Sequence, residues 1–95
     1  MSLIINAGKI TEDDRKRAKS DFNKRLGHMV CIERRSRGIL AVVVARALGV
    51  SRATYMCKER GEIVFGVHEL MVLATAWGLS IDCFINHGTF DDIPF

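Results

Sequence analysis

The sequence predicts an all-α protein, and three observations support this fold class. Apolar residues recur three and four positions apart over most of the 95 residues, which is the period of one helical face. Glycines stand where these apolar stripes stop, as at left-handed helix C-termini, at Gly38, Gly49, Gly61 and Gly78. Hydroxyl side chains suited to capping stand where helices would begin, at Thr11, Ser51 and Ser80.

Length, charge and cysteine content restrict the class of protein. A chain of 95 residues is one domain that can bury an adequate core. No apolar run approaches the ~18 residues of a membrane span, and the start from Met1 to Ile5 lacks the features of a signal peptide. Three widely spaced cysteines, Cys31, Cys57 and Cys83, argue against a disulfide framework. We therefore expect a cytoplasmic protein, and its net charge of +3 mildly favours anionic partners.

The N-terminal third predicts an arm followed by one long helix. Leu3, Ile4 and Ile5 form an apolar segment without helical period, suited to a short strand or an arm. A helix begins after Thr11, because three acids follow this capping hydroxyl in the positive first turn. It continues through Arg37, and a restart at Ser20–Asp21 is left open. Its inward face is predicted to comprise Phe22, Leu26, Met29 and Val30.

The stretch from Val44 to Gly61 predicts two short helices joined by a tight turn. Val44, Ala45 and Leu48 keep helical spacing, and Gly49 then provides the left-handed stop. Ser51 is a good N-cap for the second helix. Two helices held at a steep angle by a tight turn are typical of the DNA-binding helix-turn-helix, whose second helix enters the major groove.

The remainder predicts two closing helices and a tail. Residues 62–66 read as a loop and Val67–Trp77 as a helix that ends at Gly78. Ser80 then caps a last short helix. The residues predicted to pack inward from this part are Leu70, Leu73, Ala74, Trp77, Ile81, Phe84 and Ile85. Residues 87–95 form an acidic tail.

The chain resembles the helix-turn-helix family of lambdoid phage Cro and repressor proteins. The resemblance rests on Ala45 and Gly49, on Glu59-Arg60-Gly61 after the second helix, and on the register of the closing helices. It covers residues 22–86 without gaps. It implies a lambda-repressor-like five-helix DNA-binding domain at residues 21–86, preceded by an arm and basic helical extension at residues 1–20. The second motif helix is named the recognition helix here.

The resemblance also assigns roles within the recognition helix. The residues expected to face outward are Ser51, Arg52, Ala53, Met56 and Cys57. By family position the residues facing base edges are Arg52, Ala53, Met56 and Cys57, and those near phosphates are Ser51, Thr54 and Arg60. Among the base-facing set only Arg52 can make a bidentate contact, preferentially with guanine, while Ala53 and Met56 suit thymine methyls.

Other positions are expected to have structural roles. In the resembled family an Arg at the position of Arg34 pairs with the Glu found here at Glu59, although contact with a phosphate is the alternative. Tyr55 is expected to bury its ring and direct its hydroxyl to a polar partner. Lys58 is expected to lay its stem on the core and expose its ammonium.

The first motif helix departs from the family. Leu40 and Ala41 replace a capping Ser or Thr and a polar phosphate contact, and Val42 and Val43 occupy positions that should face solvent. Four such apolar residues in a row predict a covered surface, because monomers rarely expose a contiguous apolar patch. We expect Leu40, Val42 and Val43 to meet the N-terminal arm of the same or a partner chain, or another protein.

Charge is distributed unevenly along the chain. Residues 1–37 carry ten Lys and Arg against five Asp and Glu, a balance of +5, and the remainder sums to −2. A basic first third suits contacts with phosphates flanking the recognition helix. A solvated helix face balanced by its own acids is the alternative.

These features predict a function in binding and argue against catalysis. The favoured class is a sequence-specific transcriptional regulator, a phage, prophage or bacterial repressor at the nucleoid, binding double-stranded DNA as a homodimer on a near-palindrome. The alternative is a protein-interaction module on the same fold, such as an antitoxin-like or anti-repressor partner. No cofactor is expected. His28 and Cys31 share a helical face, but two ligands do not make a metal site, and Cys57 has no evident base as a nucleophile.

Overall fold

A computed structural model describes residues 7–85, and this part of the chain is helical with no strand. A short 3-10 turn at Ala7–Lys9 precedes five α-helices. They are α1 (Glu12–Ser36), α2 (Ala41–Leu48), α3 (Arg52–Glu59), α4 (Val67–Trp77) and α5 (Asp82–Ile85). The all-α prediction is therefore confirmed. The predicted arm at Leu3–Ile5 and the tail at residues 87–95 lie outside the described residues.

Helix α1 begins as its sequence predicts. The hydroxyl of Thr11 accepts a hydrogen bond from the Asp14 amide at 3.1 Å, and the Asp14 carboxylate accepts one from the Thr11 amide at 3.1 Å. This reciprocal capping holds the pKa of Asp14 below its usual value. The helix then runs without a break through Ser20–Asp21, where the restart was left open, and ends at Ser36.

The two halves of α1 have different surroundings. Residues 8–22 are all exposed, and burial starts at Asn23 and continues with Leu26, Gly27, Val30 and Arg34. Phe22 is 40% exposed, so the prediction that it faces inward is wrong. Phe22 lies one turn before Leu26, at the edge of the core stripe, and the body of the molecule meets α1 only from residue 23 onward. The N-terminal half therefore projects from a body whose longest dimension, helix included, is 43 Å.

The core lies between the buried half of α1 and the four shorter helices. Its fully buried residues come from every α-helix and from the loop before α4, and the largest are Tyr55, Phe84 and Val30. Tyr55 meets Phe65 edge to face, and Trp77 meets Phe84 in the same way with ring centroids 6.3 Å apart. The inward prediction holds for α4 and α5, where Leu70, Leu73, Ala74 and Phe84 are buried and Trp77, Ile81 and Ile85 pack partly against them.

The end of α1 is joined to the end of α4 by one arginine. Arg37 donates a hydrogen bond to the Trp77 carbonyl at 3.1 Å, and its guanidinium carbon lies 5.3 Å from the centroid of the Trp77 ring. Glu33, one turn earlier, accepts a hydrogen bond from Arg37 at 2.6 Å. This contact holds the C-terminal ends of α1 and α4 together.

Candidate nucleic-acid interface

The turn between α2 and α3 has the local geometry that the motif predicts. Gly49 adopts φ 74° and ends α2 in the left-handed region, where a side chain would be strained. The Val50 amide then donates to the Ala45 carbonyl at 3.0 Å. Ala45 is 1% exposed, and its small side chain suits the close contact between α2 and α3. The turn thus fixes the direction in which α3 leaves.

The first turn of α3 is capped by its own hydroxyls. The Ser51 hydroxyl accepts from the Thr54 amide at 3.1 Å and donates to the Thr54 hydroxyl at 3.0 Å. Both predicted phosphate contacts are therefore engaged in the cap, although Ser51 is exposed and Thr54 is half-buried. The Ser51 proton is used in this cap, whereas the Thr54 hydroxyl proton and the amides of Arg52 and Ala53 can still donate to an anion.

The predicted base-facing residues divide into an exposed and a half-buried pair. Arg52 and Ala53 are exposed, and within residues 7–85 Arg52 makes no hydrogen bond or ion pair. Met56 is half-buried and packs against the core, and Cys57 is half-buried beside Arg60. The prediction that Met56 and Cys57 face outward therefore needs correction. Met56 is covered because it packs against the core cluster, and the Cys57 sulfur has the Arg60 guanidinium beside it.

Arg60, the third predicted phosphate contact, has an acidic neighbour. Its Nε donates to Glu62 at 2.9 Å, and its Nη2 lies 3.3 Å from the Cys57 sulfur. The hydrogen bond from Arg60 lowers the pKa of Glu62. Glu62 was not singled out from the sequence. Its charge offsets that of Arg60, so a phosphate at this position must compete with a carboxylate.

A buried ion pair ties the last turn of α3 to α1. Arg34 Nε donates to Glu59 at 2.7 Å and Nη2 donates to its other oxygen at 3.2 Å, a bidentate fork, while Nη1 donates to the Ile39 carbonyl at 2.8 Å. The Tyr55 hydroxyl also donates to Glu59. Arg34 and Glu59 are 8% and 7% exposed. The structure therefore gives Arg34 the structural role rather than contact with a phosphate.

These contacts shift the ionisation of the cluster. Burial alone would raise the pKa of Glu59, but the hydrogen bonds from Arg34 and Tyr55 hold that pKa below its usual value. Burial and the bond to Glu59 raise the pKa of Tyr55. The pair is therefore charged and the phenol neutral at physiological pH. Tyr55 buries its ring and reaches a polar partner as predicted.

A second buried ion pair joins α3 to α4. Lys58 Nζ donates to Glu69 at 2.9 Å and to the Val64 carbonyl at 3.1 Å. Glu69 also accepts from the Gly66 amide at 2.8 Å, and this bond together with Lys58 lowers its pKa against the effect of burial. Lys58 is 8% exposed, so the prediction of an exposed ammonium is wrong. The ammonium stays inside because the Val64 carbonyl of the loop before α4 and the Glu69 carboxylate of α4 itself accept its hydrogen bonds.

Two glycines allow α1 to approach the end of α3. A Cβ at Gly27 would lie 2.4 Å from the Glu59 carbonyl oxygen, and one at Gly61 would lie 2.7 Å from the Cα of Lys24. The role of Gly27 was missed, although glycine in a helix interior is destabilising and often marks a close approach. Because of this contact, the basic part of α1 passes beside the C-terminal end of α3.

Four basic side chains form a row on the face of α1 that carries Lys24, the residue that lies against Gly61. They are spaced by seven, four and seven residues, which keeps them on one helical face. All four are exposed: Arg17, Lys24, His28 and Arg35. Elsewhere on the projecting half three acids at residues 12–14 precede bases at residues 15 and 16, and Lys16 pairs with Glu12 at 3.0 Å, as on a solvated helix face.

The apolar surface expected on α2 is present in part. Leu40 is 68% exposed at the N-cap position and makes no side-chain cap, and Val42 and Val43 are 38% and 49% exposed. Ala41, however, is 9% exposed and belongs to the core, so the row of four is three residues. A second apolar face lies on α4, where an open groove is lined by Met71, Val72, Thr75 and Ala76.

Other kinds of site find little support in residues 7–85. No group of three or more His, Cys, Asp or Glu side chains there is placed to hold a metal ion. Burial and the neighbouring Glu59 raise the pKa of Cys31, which keeps its thiol protonated. None of the helices in this range combines the length and apolar character needed to span a bilayer.

In comparisons with known proteins, no protein-family model, no curated protein and no solved structure matches this chain.

Proposed function

We propose that the protein is a sequence-specific DNA-binding regulator on a lambda-repressor-like helix-turn-helix fold, with α3 as its recognition helix. The observation that carries the proposal is that the first turn of α3 is exposed while its last turn is anchored. Arg52 and Ala53 stand exposed at its start, while the last turn is anchored to α1 and α4 through Glu59 and Lys58. A helix fixed at one end and open at the other suits insertion into a major groove.

Base recognition would depend chiefly on Arg52. Its guanidinium is not engaged by another residue in the range 7–85, so it meets DNA without first breaking an ion pair. A bidentate contact with guanine is the strongest specific contact available to such a side chain. Ala53 beside it suits a thymine methyl. Met56 and Cys57, being half-buried, supply a smaller apolar contact near the groove floor.

Phosphate contacts would come from the two sides of α3. On one side, the free amides of its first turn, near Ser51 and Thr54, provide donors at a positive helix end. On the other, Arg60 and the basic row on α1 continue past Gly61. Such contacts add affinity and fix orientation without reading sequence.

The mode of action follows from a simple binding domain. A dimer would place two recognition helices in major grooves about one helical turn apart on a near-palindromic operator. Occupying a promoter would exclude polymerase, which gives a repressor of phage, prophage or bacterial type. The place of action would be the cytoplasm, at the nucleoid.

A second candidate function is a protein-interaction module, antitoxin-like or anti-repressor in kind. It is favoured by the exposed apolar surface of Leu40, Val42 and Val43, where a DNA binder would carry polar phosphate contacts. Glu62 beside Arg60 also favours it, because a carboxylate repels DNA. DNA binding would then be weak or absent.

DNA selection followed by anisotropy titrations over a salt series distinguishes the two candidates. A DNA reader shows a steep salt slope and a specific affinity at least about a thousandfold above nonspecific binding. We expect Arg52→Ala to cost ~1–3 kcal/mol on the selected site and to relax preference at one base pair. An equal loss on all DNA would make Arg52 a phosphate contact, and shallow, unspecific binding by the wild type would favour the interaction module.

A further inference from the structure

A stripe of side chains runs along the side of α1 that faces away from the body. Its members are separated by four, three, four and three residues: Ala18, Phe22, Arg25, Met29 and Ile32. The residues of α1 that contact the core occupy other positions, from Asn23 to Arg34. Phe22 and Ile32 are 40% and 43% exposed. Phe22 and Ile32 are therefore left open on this side of the helix, and Arg25 and Met29 between them are half-buried.

The spacing of this stripe is that of a helix-helix seam. Alternating steps of three and four average 3.5 residues, the repeat that keeps a row of side chains facing a partner helix. A helix with one face in the core needs no second stripe for its own fold. The apolar members of the second stripe, Phe22, Met29 and Ile32, lie outside the set of core-contacting residues of α1, and this stripe points to a partner.

Charges beside the stripe match those of a second copy in antiparallel orientation. Lys19 and Asp21 flank its N-terminal half, and Glu33 and Arg35 flank its C-terminal half. Aligning Phe22 with Ile32 of a second copy places Asp21 opposite Arg35 and Lys19 opposite Glu33, each twice by symmetry. Among residues 7–85, Lys19, Asp21 and Arg35 form no ion pair within the chain, whereas Glu33 already binds Arg37, so Asp21 opposite Arg35 is the stronger of the two matches.

The same alignment accommodates the one charged member of the stripe. In the antiparallel pair Arg25 lies against Met29 of the second copy, whose side chain can cover the arginine stem. The overlap runs from residue 18 to residue 36, about 19 residues or about 28 Å of helix.

We infer that the protein self-associates through an antiparallel pairing of the two α1 helices, along the stripe from Ala18 to Ile32. The inference does not depend on DNA binding, although the proposed operator geometry requires a dimer. The other apolar faces lack matching charges. Helix α2 carries Arg46 and no acid, and Glu69, the one acid or strong base of α4, is buried.

Sedimentation equilibrium of the full chain without DNA tests the inference. We expect the wild type to be a dimer and Ile32→Glu to raise its dissociation constant about tenfold or more, since a charge would enter the seam. Met71→Glu is the matched control, because Met71 is 54% exposed on α4, outside the stripe, and should leave the dimer intact. Circular dichroism verifies that both variants keep their helix content.

Charge exchange gives a second, stricter test. Asp21→Arg and Arg35→Asp should each weaken the dimer, and the double variant should restore it, since the opposite charges meet again. A monomeric wild type, or a dimer lost with Met71→Glu and kept with Ile32→Glu, overturns the inference. Anisotropy on a half-site separates this failure from that of the proposed function, because a monomer with an intact α3 still binds half-site DNA.

Discussion

The two ends of α3 differ in almost every physical respect. At its start Arg52 and Ala53 are exposed, and the guanidinium of Arg52 is unengaged within residues 7–85. At its end Lys58 and Glu59 are buried and each is held by an oppositely charged partner from another helix. An isolated helix of eight residues is unstable in water. The contrast shows that one end supplies stability and orientation, which leaves the other available for recognition.

The buried pairs give direction to α3 more than they give net stability. Burying two charges costs much of what their attraction returns, so an apolar pair of similar volume often stabilises a fold as well. A bidentate fork from Arg34, however, fits Glu59 in one geometry only. The last turn of α3 is thereby fixed in orientation as well as in position.

Removing one partner of a buried pair should produce the largest effect on stability. Glu59→Ala leaves the Arg34 guanidinium buried and unpaired, at an expected cost of ~3–5 kcal/mol in the free energy of unfolding. Glu62→Ala breaks an exposed pair and should cost less than about 1 kcal/mol. Urea unfolding of the two variants measures the difference. If both variants lost a similar free energy of unfolding, the buried pair would be no more important to stability than the exposed pair.

The free energy of unfolding should depend on pH in acid and not near neutral pH, because two buried carboxylates hold the C-terminal end of α3. The pKa values of Glu59 and Glu69 lie below the ordinary 4.5 in the folded chain, so their ionisation stabilises the fold above that value. The free energy of unfolding should stay constant from neutral pH to about 5 and fall as the pH drops through the folded pKa values.

The variant Glu69→Gln tests whether this carboxylate causes the loss of unfolding free energy in acid. Glu69→Gln keeps the acceptor for Lys58 but cannot titrate, so its stability should fall less steeply with acid than that of the wild type. Glu12→Gln removes an exposed carboxylate on α1 and should leave the profile unchanged. Parallel acid profiles for the wild type and Glu69→Gln would assign the loss to other carboxylates.

The smallest effect is expected for DNA affinity when Glu62, the carboxylate beside Arg60, is neutralised. Glu62→Gln releases Arg60 for a phosphate and removes a repelling charge, so DNA affinity should rise by up to about fivefold, within the ~1 kcal/mol limit of an exposed pair. Glu12→Gln removes the same charge far along α1 and serves as the control. Equal gains from both variants would reflect net charge alone, and anisotropy titration at constant salt measures them.

The sequence was most informative about the helices and about contacts within a turn. Val67–Trp77 was predicted with its observed bounds, because its stripe and Gly78 agree. The pair of Arg34 and Glu59, 25 residues apart, was found through the family resemblance and not from spacing. Lys58 was assigned an exposed ammonium because its partner Glu69 lies across a loop whose path the local pattern does not specify.

Two further differences have the same origin. Phe22 lies one turn before Leu26, at the edge of the core stripe of α1, but helical spacing does not tell how far along the helix the body extends. Met56 likewise follows the outward spacing of α3, yet it packs against the core. Helical periodicity specifies the direction in which a side chain leaves the helix axis. Whether that side chain is buried also depends on whether a neighbouring element extends far enough to cover it.

The contact between Arg37 and Trp77 provides an intrinsic optical probe. Trp77 is the one tryptophan of the chain, and a guanidinium covers its ring where α1 meets α4. Its fluorescence therefore reports the opening of that junction, whereas far-ultraviolet ellipticity averages over every helix, including the projecting half of α1. Comparing the two signals during unfolding reveals whether that half melts with the body or separately.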